Sequence, residues 1–385
     1  MDFSHVLNST STIILLSIFG ITLLLLCIYY ALFWLRVARH KGNKIPAVSD
    51  VADRDWPSVS VVLVAHNEAE QLKKSLPYLL EQDYPDFEIV VVDYLSHDNT
   101  PFVLRVCSEN YSCLKPITFR EDVNMFRGKK YPLSIGIKSA TKDIILMTEP
   151  DCVPHSFSWI REMVCGYMHG ASIVLGYSNM REEKGLLNAL QRYENLTATA
   201  STLGATLMGN PYTASGRNLS YRRDFFFQRG AFISHYSVPV GEDDLFVNQN
   251  ANRANTTFVL RPDASVDVEA RPSFGLWRQH RIERAIARRH YKRSDRLFLL
   301  LRPALQWLFL ASGIALALLQ WFPWQLLLAA LLVLIIWQSV CFWRLCKRLD
   351  TKRLYFFTSF FELYFLFANT ILLFTSLRKK KIQWR

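Results

Sequence analysis

Apolar residues crowd the two ends of the chain and thin out in the middle. Residues 13–35 form an almost unbroken apolar run, long enough as a helix to cross the ~30 Å hydrocarbon layer of a bilayer. Three further runs lie near the other end: 297–320, interrupted by Arg302 and Pro303; 324–343; and 354–377, which carries Glu362 and Asn369. Between the ends, over roughly 51–296, short β-branched strings alternate with helical spacing. The string VSVVLVA at 59–65 predicts a buried parallel strand and 68–80 a helix. The strand signal returns at 87–92, 116–120, 143–148 and 171–177, with helices between several of these. Such alternation predicts an α/β fold, a Rossmann-like mixed sheet with crossover helices on both faces. Ligands of such sheets bind beyond the carboxyl ends of the strands.

Charge orients the apolar runs. No basic segment precedes 13–35, whereas Arg36, Arg39, His40, Lys41 and Lys44 follow it. The run therefore reads as a retained transmembrane anchor, with a short non-cytosolic N-terminus at 1–12 and a globular cytosolic domain over 50–275. Eight Lys or Arg side chains fall between Gly275 and Arg296, opposed by Glu283 and Asp295. Residues 276–296 are thus expected as a basic interfacial helix drawn to anionic membrane lipids. The basic stretches 344–353 and 378–381 both favour the cytosol, a demand that conflicts if 354–377 crosses the bilayer completely. The region 297–377 accordingly reads as two spans plus a third segment, either spanning or re-entrant, ahead of a basic tail at 378–385.

With 385 residues, half of them hydrophobic, the chain can hold one sizeable soluble core beside these membrane segments. Lys and Arg number 45 against 33 Asp and Glu, a formal charge of +12. No helix-turn-helix, zinc knuckle or RNA-binding aromatic signature accompanies that charge, so no nucleic-acid partner is expected. The seven cysteines include no C-x-x-C pair and read as reduced thiols.

Polar residues gather where predicted strands end. The first strand runs into His66-Asn67-Glu68 and the second into Asp93, with Ser96, His97 and Asp98 beyond it. Carboxylates at adjacent strand ends can accept hydrogen bonds from a base and ribose, although each taken singly also suits a helix cap or turn. Arg127-Gly128-Lys129-Lys130 precedes a helix-like stretch to Ala140, and the strand at 143–148 ends in Glu149-Pro150-Asp151. Two carboxylates one residue apart are hard oxygen ligands suited to Mg²⁺ or Mn²⁺ shared with a diphosphate. Thr213-Ala-Ser-Gly-Arg217 offers a close approach beside a cation. Glu242-Asp243-Asp244 places three acids in a row, where mutual repulsion can leave one with a raised pKa, able to take a proton.

Together the motifs VSVVLVAHNE, EIVVVDYLSHDNT, RGKKYPLSIGIKSA, DIILMTEPDCVP, TASGRN and GEDDL resemble glycosyltransferase family 2, over roughly 58–245 and in the expected order. That resemblance implies an inverting enzyme of GT-A type fold that moves a sugar from a nucleotide-diphosphate donor, of UDP type, to a lipid-linked or glycan acceptor. It assigns the donor nucleotide to Glu68 and Asp93, with His66, Asn67 and Arg217 among the donor-binding residues, and places Lys129 near the donor phosphates. Asp151 matches the second, metal-ligating acid of the family's Asp-x-Asp motif, with Glu149 as its partner. Asp243 matches the general base, supported by Glu242. Two departures stand out. Glu149 replaces the first Asp and is followed by Pro150. The Gln-x-x-Arg-Trp motif of processive members is altered to Trp277-Arg-Gln279-His280-Arg281-Ile-Glu283-Arg284. Arg281 or Arg284 then faces the diphosphate, or this helix simply rests on lipid. The location expected is a bacterial inner membrane with the catalytic domain in the cytosol. The rival readings are a processive polysaccharide synthase, disfavoured by the few C-terminal spans, and a noncatalytic scaffold that kept the fold.

Overall fold

The computed structural model describes residues 10–42, 45–52, 56–121, 128–319, 323–351 and 354–378. In chain order its elements are α1 (Thr10–Tyr30), continued by a π-turn at Ala31–Leu35 and a last turn at Arg36–Arg39, then β1 (Val59–Ala65), α2 (Ala69–Leu80), β2 (Phe87–Tyr94), α3 (Thr100–Asn110) and β3 (Leu114–Phe119). There follow α4 (Lys130–Ser139), β4 (Ile144–Met147), β5 (Cys152–Pro154), α5 (Trp159–Val164), β6 (Ile173–Leu175), β7 (Ser178–Met180), α6 (Leu186–Leu207), β8 (Leu219–Arg222) and α7 (Arg223–Gln228). Last come α8 (Asp244–Asn250), β9 (Thr256–Phe258), β10 (Val266–Val268), α9 (Phe274–Arg288), α10 (Arg293–Leu318), α11 (Trp324–Arg348) and α12 (Thr358–Arg378). They form two compact units, one of Met1–His40 with Lys292–Phe374 and one of Lys41–Tyr291 with Thr375–Arg385.

The larger unit is built on a sheet of order β3-β2-β1-β4-β8-β6-β9. The strands β3, β2, β1 and β4 pair in parallel, with Ala65 opposite Asp93, and β8 enters antiparallel between β4 and β6. β1 is buried along its whole length because both its edges are paired and both its faces are covered. Its odd residues Val59, Val61 and Leu63 join Leu72, Leu76 and Leu79 of α2 and Ile160 of α5 in one apolar cluster. The opposite face receives α4, where Gly136 sits so close that an added Cβ would lie 2.9 Å from methyls of both Val62 and Val92. A second sheet, β5-β10-β7, flanks the first. Its β5 follows the Glu149-Pro-Asp151 turn directly and so anchors that turn from behind.

The basic stretch at 276–296 divides between two helices. α9 ends at Arg288 within the globular unit, and α10 starts anew at Arg293. Tyr291, in the break, is 4% exposed and its hydroxyl donates to Asp244 Oδ2 at 2.7 Å, which ties the end of α9 down.

Among the described residues of the other unit, four helices are long and apolar enough to cross a membrane: Thr12–Arg39, Arg293–Leu318, Trp324–Arg348 and Leu354–Thr375. α10 runs antiparallel to α1, as the Phe33–Phe298 and Phe19–Phe309 ring pairs require. α11 runs parallel to α1, with Trp337 Nε1 donating to Cys27 O at 2.9 Å and Trp34 against Phe342. α12 runs alongside α10 in the same direction: Arg302 meets Glu362, and Trp307 Nε1 donates to Thr370 Oγ1 at 3.1 Å. The seven cysteines form no disulfide among the described residues.

Candidate active site

Beyond the carboxyl ends of β1 and β4 opens a cleft of about 550 Å³. The chain leaves β1 through His66 and turns at Asn67, whose φ of 56° an Asn tolerates. Asn67 spends its side chain on the turn, Oδ1 accepting from His97 N at 2.8 Å, while its own N–H donates to Ser96 Oγ at 3.0 Å. Asp98 accepts from Ala69 N and Thr100 N and caps the helix start. Glu68 is left facing the cleft. Burial, with Asp151 and Glu149 adding repulsion against the pull of Lys129, pushes its carboxyl up to about 7.

Lys129 arrives on a loop that packs against the acidic one. An added Cβ at Gly128, whose φ is +129°, would stand 2.2 Å from Pro239 O, so glycine alone permits the approach. Next to it the buried Lys130 donates to Val238 O at 2.5 Å and Val240 O at 2.6 Å, fixing the segment that leads into Gly241-Glu242-Asp243. The sequence does not single out Lys130, one of two adjacent lysines that burial alone tells apart.

From β4, Thr148 Oγ1 donates to Arg217 O at 3.1 Å, and the turn closes with Cys152 N donating to Glu149 O at 3.0 Å. Glu149 meets Lys129 Nζ at 3.4 Å and Arg217 Nε at 3.3 Å. Burial opposes its charge, but Lys129, Arg217 and Arg271 outweigh it and hold the carboxyl well below the usual range. Asp151 has Arg271 Nη1 at 3.9 Å. Candidate ligand atoms of Glu149, Asp151 and Cys152 lie within 4.8 Å of one another. The two carboxylates supply hard oxygens of the kind a divalent cation shares with phosphate, so the residues fit such a metal. Cys152 is fully buried, and burial, then Asp151, raises its thiol pKa well above the usual value, which leaves it protonated.

Asp243 caps α8: Oδ1 accepts from Asp244 N at 2.8 Å, and Oδ2 accepts from Gly216 N at 2.6 Å. Gly216 lets the two loops approach closely, since an added Cβ would stand 3.2 Å from Asp243 Cβ, a tight contact. Burial and then Asp243 push Glu242 up to about 7; the same two causes act on Asp244, which also reaches about 7.

Glu68, Lys129, Glu149, Asp151, Arg217, Glu242, Asp243 and Arg284 all line this cleft, with His66 at its edge. Three expected residues do not. Asp93 is fully buried at the end of β2 and its carboxyl is raised by burial. Asn67 is consumed by its turn. Arg281 points to the back of α9, where its Nε donates to Glu194 Oε1 at 2.9 Å and its guanidinium covers the Trp277 ring. The cleft face of α9 carries Gln279, His280, Glu283 and Arg284 instead. Arg271 and His280 add to the site beyond expectation. Burial, then Arg217, Arg284 and Arg271, drive the His280 pKa far down, so its imidazole is neutral.

A mixed sheet with this cleft at the carboxyl edge of its parallel strands, acids and cations facing each other across it, is the arrangement of a GT-A type fold. Residues 60–229 match the sequence model described as "Glycosyl transferase family 2". It is 27% identical over 231 residues to the glycosyltransferase AglE of Haloferax volcanii, covering 59% of this chain and 72% of the relative. A poly-β-1,6-N-acetyl-D-glucosamine synthase of Staphylococcus aureus is 26% identical over 191 residues, covering 48% of this chain and 43% of the synthase. Among solved structures, a mannosyltransferase from Pyrobaculum calidifontis, in complex with GDP-Man and Mn²⁺, superimposes with a TM-score of 0.57 at 21% identity, covering 92% of this chain and 98% of the other. That likeness bears out the mixed α/β, GT-A type fold.

Proposed function

We propose that this chain is a membrane-anchored inverting glycosyltransferase that takes a sugar from a nucleotide-diphosphate donor, of UDP or GDP type, and adds it to a lipid-linked or glycan hydroxyl. The observation that carries this reading is the meeting of Glu68, Asp151, Arg217 and Asp243 in one cleft, although 175 positions separate the first from the last.

In this mechanism the acceptor oxygen attacks the anomeric carbon from the face opposite the diphosphate. Its proton passes to Asp243, the new C–O bond forms, and the old bond to phosphate breaks with its electron pair leaving on the diphosphate. The N–H groups of Gly216 and Asp244 orient Asp243, and each of its oxygens keeps a lone pair for the incoming hydroxyl. Lys129, Arg217 and Arg284 meet the charge that builds on the leaving group. Asp151 would hold a Mg²⁺ or Mn²⁺ ion, which when bound supplies further neutralisation of the diphosphate. The catalytic domain, about 50–275, works on the cytosolic face of a bacterial inner membrane, and 354–377 serves as a third C-terminal span. Single transfer is favoured over polymer synthesis, since α9, the helix that precedes the membrane region, lacks the processive Gln-x-x-Arg-Trp spacing.

The test uses purified full-length protein, a panel of UDP- and GDP-sugars and Mn²⁺ or Mg²⁺. Asp243→Asn is expected to lower turnover by about 10²- to 10⁴-fold while nucleotide binding stays within a few-fold. Asp151→Ala should weaken both metal-dependent nucleotide binding and turnover. An Asp243→Asn protein of normal activity would remove Asp243 as the base, and a long polymer product would replace single transfer by a synthase.

A further inference from the structure

Glu149 stands where the family's metal motif has a shorter acid, and its surroundings differ from those of Asp151. One oxygen faces Lys129 Nζ at 3.4 Å and the other faces Arg217 Nε at 3.3 Å. Its side chain is 26% exposed, so it reaches into the open cleft rather than behind it. Among the described residues Asp151 forms its ion pair with Arg271, whose Nη1 lies farther off at 3.9 Å. Charge-assisted bonds usually close to about 2.7–2.9 Å, so the Glu149 pairs are loose and can be given up at small cost. Each cation is one that a diphosphate would want, and Arg217 offers a planar fork matched to phosphate oxygens.

We infer that Glu149 is a built-in stand-in for the donor diphosphate: it holds Lys129 and Arg217 before the donor binds and surrenders them to the phosphates when the nucleotide enters. This deepens the function proposed above and rests on it. Glu149 is then a positioning residue that acts through two cations, and metal binding falls to Asp151 with the phosphates. The additional methylene relative to Asp provides the reach. Retracting the carboxylate by one carbon–carbon bond, about 1.5 Å, would put both pairs beyond ordinary ion-pair distance. In the free protein the carboxylate also keeps the two cations from repelling each other. Binding is thus an exchange of one anion for another, and a carboxylate left nearby pushes the spent nucleotide diphosphate out.

The experiment measures UDP and GDP binding by calorimetry on the full-length protein, with and without Mn²⁺, and Mn²⁺ binding in the presence of nucleotide. Glu149→Gln keeps the size and removes the charge. It should tighten nucleotide binding without metal by about tenfold, because a like charge beside the phosphates is gone. Mn²⁺ affinity should change by less than about threefold, whereas Asp151→Asn loses it by tenfold or more. Donor KM and kcat should fall together as product release slows. Glu149→Asp, which keeps the charge but withdraws it, serves as a second variant, expected to bind Mn²⁺ like the wild type; thermal melts show that each variant is folded. Loss of Mn²⁺ affinity in Glu149→Gln equal to that in Asp151→Asn makes Glu149 a metal ligand and overturns the inference, as does unchanged nucleotide binding. Wild-type protein that binds neither UDP nor GDP with Mn²⁺ fails the proposed function itself, a separate outcome.

Discussion

Glu88, the second residue of β2, is 2% exposed, where an isolated carboxylate would be expensive to bury. Its oxygens accept from Ser60 Oγ at 2.6 Å, Thr141 N at 2.6 Å and Thr141 Oγ1 at 3.0 Å, and Lys115 forms an ion pair with it. Burial raises its pKa, but Lys115, Ser60 and Thr141 together overcome that and bring it down to about 2 from an ordinary 4.5. The folded carboxyl therefore binds its proton more weakly than the unfolded one. Its stabilisation is fully present above pH 4.5 and is lost as the pH falls from there toward 2. Glu88→Gln is expected to lower stability by about 2–3 kcal/mol at pH 7 and to flatten the acid limb of a denaturation profile below pH 4.5. An acid limb of unchanged slope would show that other carboxylates carry it. The candidate acids of the cleft sort at this scale too. Asp93 and Glu68 both sit at the end of a parallel strand, and only the turn geometry decides that Glu68 opens to the cleft while Asp93 is enclosed.

Secondary structure was legible wherever one element buries itself by its own pattern. VSVVLVA defines β1 to the residue, because a strand covered on both faces must be apolar throughout. β8, Leu219–Arg222, left no such mark: four residues, half of them polar, are held by pairing with β4 and β6, a property of their neighbours. Helix α9 illustrates the same limit in its phase. Its basic residues recur densely enough that Arg281 and Arg284 were equal candidates, and burial of Trp277, Ile282 and Ile286 sets the rotation. That rotation sends Arg281 back to Glu194, which Trp277 Nε1 also reaches at 2.8 Å, and turns Arg284 to the cleft. The two arginines should therefore separate by experiment. Arg281→Ala is expected to lower stability by about 1–2 kcal/mol, its partner being partly exposed, with donor KM nearly unchanged. Arg284→Ala should leave the melting temperature in place and raise donor KM by about tenfold or more. The reverse assignment of effects would mean that the functional face of α9 is the other one.

For the whole molecule, composition already separates a membrane part from a globular one, and the four apolar helices agree with it. What composition left open was 354–377, since Glu362 and a basic tail argue against a simple span. The structure supplies Glu362 with partners that sequence spacing could not reveal. Arg302 of α10 pairs with it, Gln306 Nε2 donates to it at 2.6 Å, and Tyr30 OH of α1 donates to it at 2.9 Å. Trp34 and Tyr29 cover the guanidinium from the side, at 5.4 and 6.0 Å. A carboxylate satisfied in this way can enter a helix bundle, and it draws α12 against α1 and α10 near one end of the unit. The energetics of such a pair are asymmetric: taking one partner leaves a bare buried charge, while replacing both with apolar groups removes the desolvation cost along with the attraction. Arg302→Met alone should therefore destabilise the bundle by about 3–5 kcal/mol, seen as a lower melting temperature in detergent. Arg302→Met combined with Glu362→Leu should recover most of that loss. A double variant as unstable as the single one would mean that the ion pair, rather than the packing of four apolar helices, holds α12 in place.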